Sequence, residues 1–293
     1  MDNKIKMIEC LNKEIIELKS SKEYKLGKNI INGMKIKQIK SFLDNMKARK
    51  YNAHGELENN FSIQNNKNNN LNKCKIVIYS CITGNYDKII EPFYKNDNIK
   101  YIMYTDNEKI KSKDWEVRML PQKLNDYNNI LKNRYLKMHP HEFFKDFDYS
   151  IYVDGNVHII SDLAELVLSI NETTGISMHR HQYRNCIYKE AEVCRIKNKG
   201  NYKMMKKQLS RYREQGFPEN FGMLEATIIV TDLKNIISKR LLNEWWEEFL
   251  RSESLRDQLS LHYIIWKNRF KIEDFGNLGF NLYKNPKFRI DVH

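Results

Sequence analysis

The chain has no run of roughly eighteen apolar residues, the length a membrane-spanning helix needs, so no transmembrane helix is expected in its 293 residues. Its start is charged and lacks the apolar stretch of a secretion signal. Cysteine is scarce and odd in number. Cys10, Cys74, Cys81, Cys186 and Cys194 are scattered, which argues against a disulfide framework and for a reducing, cytoplasmic setting. Neither G-x-G-x-x-G nor G-x-x-x-x-G-K-[ST] occurs, so a dinucleotide-binding enzyme or a P-loop nucleotidase is not indicated. A zinc finger, an arginine-rich block and an RNA-binding aromatic signature are missing as well. The formal net charge of +13 therefore has no nucleic-acid-reading motif to serve, and it suits phosphorylated ligands or an anionic surface as well. Its lysines travel with many asparagines and isoleucines, a bias that A/T-rich coding sequence produces unaided.

Hydrophobic residues make up 41% and aromatics 12%, enough for a large core. Residues 1–58 have a helical pattern of their own. Ile8, Leu11, Ile15 and Leu18 follow coiled-coil spacing, and a lysine-rich stretch near 25–50 carries Ile30, Ile31, Met34, Phe42 and Met46. This segment is expected to mediate self-association, to lie on a membrane surface, or to pack as a helical hairpin. Residues 59–73 are asparagine-rich and too polar to order themselves, so they read as a linker. The main domain is expected at 74–293.

In that domain, a β-branched run at 75–79 stops at Thr83-Gly84-Asn85. A second run at 99–104 ends in Thr105-Asp106, and a third strand is expected near Arg118. A helix is expected over 128–144 with a break at Pro140, and Asp87 reads as a cap for the element after the first strand. Residues 149–160 form an apolar strand broken by Asp154-Gly155-Asn156. A carboxylate at the end of such a strand is costly to bury unless paired or bound to a cation. Strands alternating with helices predict an α/β domain with a mixed, mostly parallel sheet. Ligands collect at the carboxyl ends of such strands, where Thr83–Asp87, Asp106 and Asp154 fall.

Taken in order, these segments resemble a glycosyltransferase-like family of the GT-A kind, found in bacteria and in plants, where members are linked to pectin and mucilage synthesis. The pieces are Tyr79-Ser-Cys-Ile-Thr-Gly-Asn-Tyr-Asp87, Tyr104-Thr-Asp106, Asn133-Arg-Tyr-Leu-Lys-Met-His-Pro140 and Tyr149-Ser-Ile-Tyr-Val-Asp-Gly-Asn156. Ile176-Ser-Met-His-Arg180, Cys186-Ile-Tyr-Lys-Glu-Ala-Glu192, Gln208…Tyr212…Gly216-Phe-Pro218 and Arg256-Asp-Gln-Leu-Ser260 continue the series across roughly 75–270. The resemblance implies a sugar transferred from a nucleotide sugar, a UDP-sugar above others, to a glycan or lipid-linked acceptor in surface polysaccharide synthesis. Asp154, Asn156 and a late histidine, His293, would hold Mn²⁺ or Mg²⁺ against the donor diphosphate, with Gly155 in the turn between them. Arg134 and Lys137 would reach the same phosphates; Thr83, Gly84, Asn85, Tyr86 and Asp106 would line base and ribose. His179 and Arg180 would belong to the sugar pocket, and Asp257 and Glu225 are the acidic candidates on the acceptor side.

One departure stands out: Asn156 replaces the second acid of the usual Asp-x-Asp pair and brings no charge to a cation. It keeps open a catalytically silent nucleotide- or carbohydrate-binding protein, and the charge alone keeps open a nucleic-acid binder. His179, His181, Cys186 and Cys194 match no common zinc spacing, and the two cysteines read as core residues. Trp245, Trp246 and Phe249 read as the buried stripe of a helix. Glu190 and Glu192 read as solvated.

Overall fold

The computed structural model describes residue 71 and residues 73–291. The segment expected at 1–58, most of the linker at 59–73, and His293 lie outside the described residues.

Apolar runs flanked by turn residues become the middle of a six-stranded sheet. Its strands are β1 (Ile76–Ile82), β2 (Lys100–Thr105), β3 (Glu116–Met119), β4 (Tyr149–Val153), β6 (Ile176–Arg180) and β7 (Leu224–Asp232), in the order β3-β2-β1-β4-β7-β6. β1 is buried along its whole length and β4 along all but its first residue, which is why both read as continuous apolar runs instead of alternating ones. β1 pairs in parallel with β2 and β4, and β2 with β3, whereas β7 runs antiparallel to both β4 and β6. The expected mixed, mostly parallel α/β sheet is therefore present. The strand that resumes after Asp154-Gly155-Asn156 does not continue in this sheet. It is β5 (Val157–Ile159), which pairs antiparallel with β8 (Phe288–Ile290) as a separate ribbon.

Among the described residues six helices flank the sheet: α1 (Asn129–Met138), α2 (Pro140–Phe143), α3 (Ile187–Ile196), α4 (Tyr202–Glu214), α5 (Ile236–Ser252) and α6 (Asp257–Lys267). Their starts are legible locally. Asn128, Asn201 and Asn235 each accept a hydrogen bond from a backbone N–H of the first turn. Pro140 opens α2, since proline fits a first helical turn but ends the helix before it. No helix follows β1 directly, so Asp87 caps none; its carboxylate instead lies beside Gly155.

The apolar face of α5 carries Leu241, Leu242, Trp245, Trp246 and Phe249, all buried as their spacing predicts, and it packs on α1 and α6. Full burial of one such side chain contributes about 1.5–3 kcal/mol. Trp245, fully buried, also donates its indole N–H to the Asp257 carbonyl at 2.9 Å. It thereby ties the core to the first turn of α6. Trp245→Ala is expected to lower unfolding free energy by about 3–5 kcal/mol, read by urea denaturation; a loss under about 1 kcal/mol would show that the α5–α6 packing does not depend on this ring.

Candidate functional site

Strand direction decides which residues meet. β1, β2, β4 and β6 run one way and β7 the other, so the carboxyl ends of the first four and the start of β7 share one edge of the sheet. That edge gathers Thr83, Asp106, Asp154, His179, Arg180 and Glu225. The strand order also reverses at β1, with β2 on one side and β4 on the other. Such a switch point opens a crevice for ligands between neighbouring strand ends.

On the β1–β2 side, the loop after β1 is shaped by left-handed backbone at Gly84 (φ 61°) and Asn85 (φ 54°). Glycine and asparagine are the residues that tolerate it best. The Gly84 amide donates to Asp106 Oδ1 at 2.9 Å, and Lys132 sits 3.6 Å from Asp106 Oδ2. The Thr83 hydroxyl is spent on the Asn129 carbonyl at 2.9 Å, anchoring the start of α1 to the loop. Asn85 accepts from Asn107 at 2.6 Å, and Asn133 donates to the Cys81 carbonyl at 2.7 Å. Tyr86 stands 76% exposed at the tip.

At the switch point Asp154 follows β4, its amide bonded to the Thr227 carbonyl of β7 at 3.0 Å, and Val157 closes the turn onto the Asp154 carbonyl at 3.1 Å. A Cβ at Gly155 would meet Ile82 at 3.0 Å and the Asp87 carboxylate at 3.1 Å, so any larger residue would make these side chains shift by a few tenths of an ångström. Asn156 is bonded twice to Asp291. Its amide nitrogen donates to the Asp291 carbonyl at 2.8 Å, and its own carbonyl accepts from the Asp291 amide at 3.0 Å.

Behind this turn lies a buried chain of charges. Lys137, on the last turn of α1, places its ammonium 3.2 Å from Asp257 Oδ2 and 3.6 Å from Asp154 Oδ1. Arg134, one turn earlier, holds Asp257 Oδ2 at 2.9 Å. Lys137 and Asp257 are almost wholly inaccessible, whereas Asp154 keeps 31% of its side chain open to solvent. Burial disfavours the Asp257 anion, but the Arg134 and Lys137 cations outweigh it and hold the carboxyl well below its ordinary value.

Glu225 is the opposite case. Burial first, then the nearby Asp154 and Glu190 carboxylates, push its pKa from 4.5 up to about 7. It lies 3.6 Å from His181 Nε2 and faces an open cleft of about 300 Å³ that Arg184, Glu190, Arg256 and Tyr283 also line. Glu190 is itself buried, paired with Arg184 and, at 3.6 Å, with Arg256. The neighbouring His262 fixes the start of β7: its Nε2 accepts the Leu224 amide at 2.7 Å, while Gln258 donates to the Leu224 carbonyl at 3.1 Å.

Residues 48–291 match the TOD1/MUCI70 glycosyltransferase-like domain. The chain belongs to this family. Among curated proteins none matches it. Several solved structures are similar in chain path. WbbM, a bifunctional glycosyltransferase, is 12% identical with a TM-score of 0.43 over 72% of this chain and 39% of its own. The galactosyltransferase LgtC, in complex with donor and acceptor sugar analogues, is 12% identical with a TM-score of 0.38, covering 64% of this chain and 70% of its own. Mouse xyloside xylosyltransferase 1 is 9% identical with a TM-score of 0.41, covering 69% and 83%. The chain thus spans well under half the length of WbbM, and no residue role transfers at these identities.

Within this family member, the structure brings Asp154, Asn156, Lys137, Arg134, Asp257 and Glu225 into one connected region. It alters several expected roles. Arg134 and Lys137 point into the protein and grip Asp257, so their charge is spent on a buried carboxylate and not held out for donor phosphates. Asp257 is closed to solvent and firmly anionic, a geometry that suits an anchor and not a proton acceptor. His179 is fully buried. Its Nε2 lies 2.8 Å from the Asn285 amide nitrogen, and burial pushes its pKa down to about 4, so the ring is neutral and walls no open pocket. Arg180 pairs with Glu273 at 3.3 Å and lies over the Phe280 ring. Glu190 is buried and doubly paired, against the solvated reading, while Glu192 is exposed as expected.

The residues that sequence reasoning did not assign to the site are Lys132, Asn133, Arg184 and His262, and His181 was weighed there only as a zinc ligand. Lys132 and Asn133 had a signal, since both belong to the helical turn that carries Arg134. His181 and His262 act through contacts distant in sequence, with Glu225 and Leu224, whereas Arg184 reaches Glu190 only six residues on.

Asp257→Asn would leave Arg134 and Lys137 buried without their carboxylate. A cost of about 3–5 kcal/mol is expected in chemical unfolding, and an unchanged midpoint would show the anchor to be dispensable. Glu225 gives a pH signature. Its raised folded pKa stabilises the protein below pH 4.5, and that contribution is lost as pH rises through about 7. Measured in chelator, Glu225→Gln should flatten stability between those pH values; a profile identical to that of the parent would rule this linkage out.

Proposed function

We propose that the chain is a metal-dependent glycosyltransferase that moves a sugar from a UDP-sugar to a glycan or lipid-linked acceptor. The observation that carries the reading is the meeting, at one sheet edge, of the 83–87 loop, a half-exposed Asp154 on a tight turn, and a cleft floored by Glu225, in a member of a glycosyltransferase-like family.

The residues at the turn fit a hard divalent cation of the Mg²⁺ or Mn²⁺ type. Such ions take one or two protein carboxylates and complete their shell with substrate phosphates and water. Asp154 offers a partly exposed carboxylate. Because Asn156 commits its amide nitrogen to Asp291, the amide oxygen is the atom left for a ligand. Among the described residues no three His, Cys, Asp or Glu side chains are grouped to hold an ion, so the donor diphosphate has to supply the rest. Asp291 is bonded to Asn156, and His293 follows two residues later, within about 7 Å of extended chain. When bound, the ion supplies Lewis-acid stabilisation of the departing nucleotide.

The protein's own residues do the remainder. Lys137 fixes the Asp154 carboxylate and is itself fixed by Asp257. The backbone of the 83–87 loop and the exposed Tyr86 ring accept the nucleoside. Glu225, near half-protonated at neutral pH, is matched to take a proton from an acceptor hydroxyl. The sequence pattern of 1–58 supports attachment of the enzyme to itself or to the cytoplasmic membrane face, where lipid-linked acceptors lie.

Thermal shift against UDP-, GDP-, CMP- and dTDP-sugars, with and without Mn²⁺, tests the reading, because a ligand bound only by the folded state raises the melting temperature. A Mn²⁺-dependent rise with UDP-sugars, abolished in Asp154→Ala, is expected. A shift that ignores both metal and Asp154 would replace the enzyme by a nucleotide-binding protein of the same fold.

A further inference from the structure

The cleft in front of Glu225 carries more positive charge than its two carboxylates neutralise. Arg184 and Arg256 both turn towards the buried Glu190, and Lys197 and Lys199 line the same cleft from the turn after α3. Both lysines are exposed, and neither forms an ion pair among the described residues. Their placement is built by the backbone. The Lys197 amide bonds the Val193 carbonyl at 3.0 Å and the Lys199 amide the Cys194 carbonyl at 2.8 Å, with left-handed conformations at Asn198 and Gly200 turning the chain between and after them. Gly200 has no room for a side chain, since a Cβ there would meet the Ser254 carbonyl at 2.6 Å.

Two aromatic rings stand at the same cleft. Tyr183, on the loop after β6, is 75% exposed, and Tyr283 is 56% exposed on the facing segment. A phenol ring offers an apolar face with a polar tip, the surface on which the C–H face of a pyranose packs while its hydroxyls stay hydrogen-bonded. Guanidinium groups and ammonium groups together favour carboxylate or phosphate oxygens.

We propose that this cleft is the acceptor subsite and that it takes an anionic sugar, a saccharide bearing a carboxylate or a phosphate, with Lys197 and Lys199 meeting the charge and Tyr183 and Tyr283 the ring. The inference rests on the glycosyl-transfer reading and deepens it. The acceptor hydroxyl then lies against Glu225, and the anionic substituent lies towards the α3 turn. Glu190 neutralises Arg184 and Arg256 in part and leaves the two lysines as the unspent charge.

The test measures binding of three probes to the full chain by titration calorimetry: a hexuronate-containing tetrasaccharide, the same oligosaccharide with its carboxyl groups reduced, and glucose 1-phosphate. Expected is binding of a charged probe that weakens roughly five- to tenfold in Lys197→Ala/Lys199→Ala and falls as salt rises. Preference for the hexuronate over its reduced form assigns a carboxylate, and preference for glucose 1-phosphate assigns a phosphate. Equal binding of the charged and reduced oligosaccharides without binding of glucose 1-phosphate overturns the proposal. So does an absence of binding by either anion. A double variant that weakens UDP-sugar affinity instead would give the lysines to the donor, and this too overturns it. In each of these cases a Mn²⁺-dependent UDP-sugar shift that persists in the parent protein leaves the glycosyl-transfer reading standing, so the two failures are distinguishable.

Discussion

One buried ammonium organises this site. Lys137 is buried, and the two carboxylates within 3.6 Å of it come from segments far apart in sequence, one after β4 and one at the head of α6. Removing a partner from such an arrangement leaves an uncompensated buried charge, which costs far more than the intact pair gains. The sheet edge, α1 and α6 are therefore locked in mutual register by electrostatics that apolar packing alone would not specify. Arg134 strengthens the lock, and Trp245 holds the same turn of α6 from the core side.

The consequence is a division of labour between carboxylates a short distance apart. Asp257 is held anionic and closed, Asp154 is partly open beside Lys137, and Glu225 is lifted towards neutrality. Three acids at one sheet edge are thereby set apart from one another by environment and not by residue type. His179 and His262 add no charge, because burial pushes both pKa values down to about 4.

Much of this was legible in the sequence. The apolar runs that become β1, β2 and β4, the Pro140 break, the α5 stripe and the position of Asp154 at a strand end all follow from local pattern, and the ordered motifs pointed to the family that the match over 48–291 then showed. What was not legible depends on distant pairing. Asp257 and Glu225 look alike as acids near apolar residues. Only the fold shows that one faces Arg134 and Lys137 while the other faces Asp154 and Glu190. Glu190 read as solvated because its neighbours in sequence are polar or small, yet Arg184 and Arg256 reach it from two other segments. The resumed strand after Asn156 was visible as a strand, but its partner β8, some 130 residues away, was not.

That ribbon has a practical corollary for anyone handling the molecule. β8 delivers the chain to Asp291, whose backbone is stitched to Asn156 on the turn that bears Asp154. A sequence inserted directly after Asp291 would therefore leave the protein beside that turn. A polyhistidine tag there would place a chelating sequence beside the carboxylate expected to meet the donor's metal, and apparent metal affinities would then report the tag together with the protein. Labels, immobilisation handles and fusion partners belong elsewhere on the chain.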